Sequence, residues 1–304
     1  MAAISSSSAP FGHVVTAMVT PFRADGALDL DGAATLATHL VDTGNDGLVV
    51  NGTTGESATT TDEEKERLLR AVVEAVGDRA AIVAGIGTND TRHTLELARA
   101  AEKVGVDGLL AVTPYYTKPP QAGLLAHFRA VGDATGLPVM LYDIPGRAGV
   151  AIHTETLLRL ADHPRIVAVK DAKDDLGAAS WVMSHSDLTY YSGTDVLNLP
   201  LLAVGAAGFV SVVGHLVADR LAAMYAAFAA GDPTGALRIH NDLLPVYTGI
   251  FRTQGAILTK AALTLAGLPG GPVRPPLADA TDAEITQLSA DLAAGQVDPK
   301  SLTR

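Results

Sequence analysis

One lysine in this sequence stands where an ammonium ion is least expected. Lys170 follows the apolar run IVAV, 166–169, which is typical of a β-strand buried on both faces. A lysine at the end of such a strand can extend its ammonium group to solvent. Alternatively, partial burial lowers the pKa of the amine, and the free amine attacks carbonyl carbons. Lys170 is therefore a candidate nucleophile for imine formation.

Tyr142 and Arg147 lie close together in the segment YDIPGR, which follows another apolar run. A tyrosine beside an amine can move protons during imine formation, although Tyr142 alone also fits an aromatic residue at the core edge. If the two strands are adjacent, Tyr142 and Lys170 are neighbours. A turn at Pro145 and Gly146 directs Arg147 toward the same opening, where a guanidinium suits carboxylate binding. An ordinary surface arginine is the alternative.

The glycine-rich segment GTTGES, 52–57, precedes a helix-like pattern. Successive backbone N–H groups in such a turn form an anion-binding nest, and the hydroxyls of Thr53 and Thr54 add donors. No lysine follows the second glycine, as it would in a phosphate-binding loop, which favours a carboxylate over a polyphosphate. An ordinary strand-to-helix turn is the alternative interpretation.

Elements that would position these side chains recur along the first two-thirds of the chain. Eight apolar runs read as strands: 14–22, 47–55, 80–87, 108–116, 138–146, 165–172, 188–195 and 208–215. Helical patterns separate them, including 92–104, 123–134 and a helix opened by a capping box at 61–64. This alternation predicts an α/β fold, a (β/α)₈ TIM barrel, with the polar strand ends at one mouth. A doubly wound open sheet is the alternative, but no GxGxxG or Walker sequence follows the first strand.

The pattern becomes mainly helical after the eighth strand. Helices are expected at 217–230, 233–251, 255–267 and 282–294. We therefore predict a flexible leader over 1–11, a catalytic barrel over 12–231 and a C-terminal helical domain over 232–304.

Composition excludes several classes of function. A formal net charge of -11 disfavours binding to nucleic acid or to anionic membrane surfaces. The absence of cysteine excludes disulfides and thiolate catalysis, and it fits a reducing compartment. The apolar run 201–218 approaches the length of a membrane span, but its glycines, serine and histidine favour a strand between helix ends.

Four motifs stand in order at strand ends: GTTGES, VTPYY, YDIPGR and VAVKDA. Together they resemble the dihydrodipicolinate synthase/N-acetylneuraminate lyase family of Schiff-base (β/α)₈ enzymes, over nearly the whole chain. The resemblance implies catalytic roles at four positions. Lys170 would form an imine with pyruvate and Tyr142 would be the general acid/base. Thr53 and Tyr116 would complete a proton relay, with Tyr116 reaching in from a neighbouring subunit.

The resemblance also implies the substrate-binding residues. Thr54 and nearby backbone N–H groups would hold the pyruvate carboxylate, with the main-chain carbonyl of Val210 near the same site. Gly193, at the end of the seventh strand, is a further predicted substrate-binding residue. Arg147 would bind the carboxylate of the second substrate, aspartate 4-semialdehyde.

The reaction implied is the aldol condensation that gives 4-hydroxy-tetrahydrodipicolinate in the diaminopimelate route to lysine. Thr53 and Arg147 favour the semialdehyde over sugar acids, since sialic acid lyases of this family usually read GSTGE and lack the arginine. Two alternatives stay open. One is another pyruvate-dependent Schiff-base aldolase or lyase acting on a sugar acid, and the other is a catalytically silent sensor of keto acids.

Many family members are inhibited by lysine in a cleft at a dimer interface. Four positions of this sequence match that cleft: Ser57, Ala58, Asn89 and Tyr115. However, Asp62, Lys65 and His93 stand where lysine-sensitive members typically have His, His and Glu. Weak or absent lysine feedback is therefore expected.

Neither a metal nor a cofactor is expected. The nine histidines form no HxH or HExxH motif, and no nucleotide or flavin fingerprint is present. In the family, the covalent imine on the lysine serves as the electron sink. The resemblance further implies a cytoplasmic homotetramer, a dimer of dimers.

Overall fold

Eight parallel strands close into a barrel, in a computed structural model that describes residues 9–302. The strands follow one another around the barrel in chain order, and the last pairs with the first. Their bounds are β1 Val14–Ala17, β2 Gly47–Val50, β3 Ala81–Gly85, β4 Gly108–Val112, β5 Val139–Asp143, β6 Ile166–Asp171, β7 Thr189–Ser192 and β8 Gly208–Ser211.

Helices lie between the strands and after the last of them. They are α1 Leu30–Asp42, α2 Asp62–Val76, α3 Thr91–Val104, α4 Gln121–Ala134, α5 Pro145–Ala148, α6 Thr154–Ala161, α7 Leu176–His185, α8 Asn198–Ala203, α9 Gly214–Ala229, α10 Pro233–Ile250, α11 Gly255–Leu265 and α12 Asp282–Ala294. The predicted TIM barrel with C-terminal helices is confirmed. The capping box predicted at 61–64 opens α2. Most of the predicted leader, 1–11, falls outside the described residues.

The barrel interior explains why the strands read as continuous apolar runs. Alternate side chains of each strand point inward, and the others pack beneath the helices. The inward-facing cluster comprises Phe11, Val15, Ala17, Val49, Val83, Leu110, Met140, Tyr142, Ala168, Tyr191 and Val210. Phe11, which is 1% exposed, closes the end opposite the mouth. A Cβ at Gly108 would lie 2.4 Å from its ring, so this position requires glycine.

Each predicted strand begins within one residue of the observed strand, but all of them end too late. The second was predicted to reach 55 and stops at Val50, because Asn51 and Glu56 take left-handed backbone conformations with φ of +62° and +55°. The apolar run 201–218 divides into the end of α8, β8 and the start of α9. Within 9–302, no helix is long and apolar enough to cross a membrane.

Two aspartates on the outer face fix the mouth ends of β5 and β6, one through its carboxylate and one through its main-chain carbonyl. Asp143 and Asp171 pair across these strands, directly after Tyr142 and Lys170. Asp143 Oδ1 accepts a hydrogen bond from the N–H of Ile152 at 3.1 Å. The carbonyl of Asp171 accepts one from the N–H of Gly193 at 2.7 Å. The loops that follow β5 and β7 are thereby attached to the strand ends.

Asp143 is 1% exposed, and its Oδ2 has no hydrogen-bond partner among residues 9–302. Burial, with a smaller contribution from the charge of the adjacent Asp171, raises the pKa of this carboxyl to about 7. The bond from Ile152 and the charge of Lys173, whose Nζ lies 4.0 Å from Oδ2, act in the opposite direction. The folded protein therefore holds a proton here that an unfolded chain releases near pH 4.

Replacing Asp143 with asparagine tests this buried proton. Because the folded pKa lies above the unfolded one, the carboxyl favours folding below about pH 4 and loses that contribution as the pH rises toward 7. We expect the free energy of unfolding of Asp143→Asn to rise relative to the unmodified protein over this range, by at most about 1.4 kcal/mol per pH unit. Denaturant titrations at one protein concentration measure it. A difference that does not vary with pH would contradict the assignment.

Candidate active site

The amine of Lys170 is buried at the mouth end of β6. The residue is 4% exposed, and its Nζ lies 4.2 Å from the ring centroid of Tyr142. Burial lowers the pKa of the amine to about 8, the charge of Asp195 raises it, and that of Arg147 lowers it. At pH 7 roughly a tenth of such an amine is unprotonated, against well under a thousandth for an ordinary lysine. Lys170 is thus a competent carbonyl nucleophile.

Gly193 leaves room for the lysine side chain. A Cβ at this position would lie 3.0 Å from Lys170 Cγ and 3.1 Å from Cε. It would also lie 3.0 Å from the carbonyl oxygen of Asp171. Any larger residue would press on the lysine side chain. Glycine at position 193 therefore leaves the space that the Lys170 side chain occupies.

Tyr142 lies beside Lys170 across β5 and β6, as predicted. Burial raises the pKa of the phenol to about 12, whereas the charge of Arg147 and a hydrogen bond with the Thr53 side chain lower it. A phenol of this pKa stays protonated near neutrality and is a poor base alone. The Thr53 hydroxyl provides a path along which its proton can move, which a chain of hydroxyls makes easier.

A cavity of about 520 Å³ opens above the amine. The predicted residues that line it are Lys170, Tyr142, Thr53, Thr54, Arg147 and Gly193. The cavity combines an amine nucleophile, a phenol, a guanidinium and threonine hydroxyls. This set suits a ligand that carries a ketone beside a carboxylate, because the ketone can meet the amine while donors and positive charge hold the carboxylate.

Asp195 is a member of this site that the sequence did not assign. It is 3% exposed, and its carboxylate accepts from the hydroxyl of Ser211 and from the N–H groups of Val212 and Val213 at 3.0 and 3.1 Å. The loop after β7 is thus bonded to the end of β8, and a negative charge is placed near Lys170. Its three partners lie at and just after the end of β8, some 16 to 18 residues away, which the sequence pattern does not indicate.

Two predicted residues lie outside the cavity wall formed by these side chains. Val210 is fully buried within the barrel interior, on β8. Tyr116 is 88% exposed, with a left-handed φ of +70° and its N–H bonded to the carbonyl of Ala148 at 3.2 Å. The chain therefore presents the Tyr116 phenol to its surroundings and not to its own cavity.

A second cavity of about 340 Å³ adjoins the first and shares Thr53, Tyr142 and Arg147 with it. Three of the predicted cleft residues line it: Ser57, Ala58 and Tyr115. The fourth, Asn89, is exposed near the end of the loop between β3 and α3, two residues before the helix.

The residues that depart from the lysine-sensitive pattern bond to partners within the chain. His93 and Asp62 are hydrogen-bonded to each other, with Nε2 and Oδ2 2.9 Å apart. Lys65 is 7% exposed, and its Nζ donates to the carbonyl of Thr60 at 2.6 Å. The ammonium of Lys65 is therefore directed toward the backbone and not toward the cleft.

Among residues 9–302, no group of three or more His, Asp or Glu side chains is arranged to hold a metal ion. Several of the described histidines form hydrogen bonds within the fold. His215, for example, bonds the carbonyl of Val212 and accepts from the N–H of Val19, which joins the ends of β8 and β1.

Comparison with known proteins places this geometry in a family. A family model described as the Dihydrodipicolinate synthetase family matches residues 10–295. The 4-hydroxy-tetrahydrodipicolinate synthase of Acidothermus cellulolyticus is 71% identical, over 94% of this chain and 93% of its own. The 4-hydroxy-tetrahydrodipicolinate synthase 2 of Streptomyces coelicolor is 68% identical, over 98% of this chain and 99% of its own.

A solved structure shares the fold over almost its whole length. The enzyme of the same family from Cyanidioschyzon merolae, solved with lysine bound, superposes with a TM-score of 0.93. It is 42% identical, and the match covers 94% of this chain and 99% of that one. The chain therefore belongs to the dihydrodipicolinate synthetase family, as its four strand-end motifs predicted.

Proposed function

We propose that this chain catalyses the aldol condensation of pyruvate with L-aspartate 4-semialdehyde to 4-hydroxy-tetrahydrodipicolinate, in the diaminopimelate route to lysine. The observation that carries the proposal is the buried amine of Lys170 beside the Tyr142 phenol. Relatives that are 71% and 68% identical bear the name of this synthase, a lyase, which supports the activity. We propose that the enzyme acts in the cytoplasm, where the biosynthetic route would run.

Imine formation is the first step. The unprotonated amine of Lys170 attacks the ketone carbon of pyruvate and forms a carbon–nitrogen bond. The ketone oxygen then leaves as water, and the two protons that it needs pass through Tyr142 and the Thr53 hydroxyl bonded to it. The product is a protonated imine, which withdraws electrons from the neighbouring methyl carbon. No separate cofactor is then required, because the lysine adduct is the electron sink.

Carbon–carbon bond formation follows from that electron withdrawal. The methyl group of the imine loses a proton to the hydroxyl chain and becomes an enamine. The enamine carbon attacks the aldehyde carbon, and the aldehyde oxygen takes up a proton. The amino group of the second substrate then attacks the imine carbon, which closes the ring and releases the Lys170 amine.

Two positions hold the carboxylates of the substrates. Thr54 is 8% exposed and lies in the turn whose backbone N–H groups suit the pyruvate carboxylate. Arg147 lies in the wall shared by the two cavities, where its guanidinium can form paired hydrogen bonds with the carboxylate of the semialdehyde. The backbone of Val210 lies in β8, beside the same opening.

We also propose that the active site is completed in a homotetramer. The Tyr116 side chain is a large aromatic group with 88% of its surface exposed, beside the half-exposed Tyr115. Contact with a second copy of the chain would bury these two adjacent aromatic rings. Tyr116 would then extend the hydroxyl relay of the neighbouring subunit.

Trapping with pyruvate tests the proposed chemistry. We expect cyanoborohydride to fix one pyruvate-sized addition per chain on Lys170, detected by intact mass and peptide mapping. Lys170→Met should take up none. A matched control is Lys173→Met, which removes an ammonium three residues away and should still be modified. The unmodified enzyme should then turn over aspartate 4-semialdehyde in an assay coupled to a reductase.

Other results would redirect the assignment. Modification of a different lysine, or of none, would refute the imine mechanism. An adduct on Lys170 with turnover of a sialic or keto-deoxy sugar acid in place of the semialdehyde would indicate the sugar-acid alternative. An adduct without turnover of either substrate would indicate the keto-acid sensor.

Lysine feedback is a separate expectation for the second cavity. A lysine ligand carries two ammonium groups, which need carboxylate partners. The one carboxylate among the three departing residues, Asp62, already pairs with His93. The protein from Cyanidioschyzon merolae was solved with lysine bound, so the family fold can bind this ligand when its cleft is suitable.

We expect low-millimolar lysine to leave the turnover of this enzyme nearly unchanged. His93→Glu supplies a carboxylate and removes the partner of Asp62, so this variant should become more sensitive to lysine. Initial rates against lysine concentration, at saturating substrates, measure both. Strong inhibition of the unmodified enzyme would contradict the expectation.

A further inference from the structure

A buried ion pair at the wall of the second cavity has no part in the proposed chemistry. Lys260 on α11 and Glu56 in the turn 52–57 are 2% and 4% exposed. The Nζ of Lys260 donates to Glu56 Oε1 and to the carbonyl of Pro272, the latter at 2.8 Å. It also lies 4.3 Å from the ring centroid of Phe22. A C-terminal helix therefore inserts a charge beneath the turn of the barrel mouth.

The backbone of Glu56 has a conformation that residues other than glycine seldom adopt. Its φ of +55° and ψ of +37° are left-handed. Such a backbone persists only where surrounding contacts determine it. Here Lys260 occupies one carboxylate oxygen, and the N–H of Arg274 donates to the other at 2.8 Å. Both oxygens thus bond to the C-terminal region of the chain.

Arg274 bonds the C-terminal region of the chain to α2. Its guanidinium forms paired hydrogen bonds with Glu64, at 2.8 and 2.5 Å, and a third with the carbonyl of Thr59 at 2.8 Å. The group also lies 4.1 Å from the ring centroid of Phe22. The segment that follows α11 is therefore fixed against the middle of the loop between β2 and α2 and against the first turn of α2.

Hydrogen bonds within and beside the turn 52–57 connect Glu56 to the residues that face the cavity. The N–H of Glu56 donates to the carbonyl of Thr53 at 3.1 Å, and the carbonyl of Gly55 accepts from Thr20 Oγ1 at 2.6 Å. The N–H of Ser57 donates to the carbonyl of Gly52 at 3.3 Å. In so short a turn, a rotation at Glu56 moves Thr53 relative to Tyr142.

We propose that the Glu56–Lys260 pair positions the Thr53–Thr54 turn for pyruvate, so that the C-terminal helices form part of the keto-acid site. The role of the turn toward pyruvate rests on the proposed function. Lys260 is a positioning residue, since it acts through Glu56 and touches no substrate. An apolar pair of the same size would fill the space but would not direct the Glu56 side chain.

Two variants separate positioning from folding. Lys260→Met leaves a buried carboxylate without its partner and is expected to be unstable. The double variant Glu56→Met/Lys260→Met removes both charges, a change that is often neutral or favourable for stability. Arg252→Met is the matched control, because it breaks a paired contact of 2.6 and 2.8 Å with Asp291 in the same C-terminal region, away from the turn.

We expect the double variant to unfold near the temperature of the unmodified enzyme. Its kcat/KM for pyruvate should fall about 10- to 100-fold, as expected when reacting groups are misplaced by about 1 Å. The KM for the aldehyde should change by less than about twofold, because Arg147 is on another loop. A twofold change is far smaller than the tenfold change that about 1.4 kcal/mol produces. Amide hydrogen exchange of residues 52–57 without substrate should become faster. Arg252→Met should behave like the unmodified enzyme in all of these measurements.

The proposal is overturned if a stable double variant keeps its kcat/KM for pyruvate within about twofold, well under the tenfold that 1.4 kcal/mol produces. An equal loss for both substrates, or the same loss in Arg252→Met, would indicate general loosening and would also overturn it. If the unmodified enzyme forms no imine with pyruvate, the proposed function fails instead. The amide exchange then decides, since unchanged exchange at 52–57 refutes the positioning role and faster exchange supports it.

Discussion

Burial of one amine is the constraint on which the active site depends. Lys170 is covered by the mouth ends of β5 to β7 and by the ring of Tyr142, and this burial lowers its pKa toward neutrality. The same burial would leave an ammonium poorly solvated, and the nearby charge of Asp195 limits that effect. Gly193 keeps the space that the side chain needs. The barrel therefore makes an ordinary lysine amine reactive by burying it.

The second requirement is proton movement, and it explains the outer parts of the site. Burial makes the Tyr142 phenol a weaker acid, so the hydroxyl of Thr53 has to share its proton. Thr53 is on a turn and not on a strand, and a turn does not hold its own geometry to a few tenths of an ångström. The charges of Glu56 and Lys260 attach it to the C-terminal helices. The barrel thus supplies the Lys170 amine and the Tyr142 phenol, and the C-terminal helices hold the turn that carries Thr53.

Much of this arrangement could be predicted because it is local in sequence or follows from chain order. Hydrophobic periodicity located the start of every strand, and consecutive strands made Tyr142 and Lys170 neighbours. The end of the second strand was placed too late, because the left-handed residue Asn51 turns the chain away after Val50. The Glu56–Lys260 contact joins residues 204 positions apart, which only the closed fold brings together. The role of Tyr116 stays a prediction, because it depends on a second chain.

The reactivity of Lys170 rests on a pKa that burial lowers to about 8 from the ordinary 10.5. The most direct measurement is the rate at which pyruvate forms its imine on Lys170 as a function of pH. The adduct is trapped with enough cyanoborohydride that the reagent concentration no longer limits the rate. We expect a rate that rises with an apparent pKa near 8 and then levels off. A rate that still rises tenfold per pH unit above pH 9, as for an exposed lysine, would contradict it.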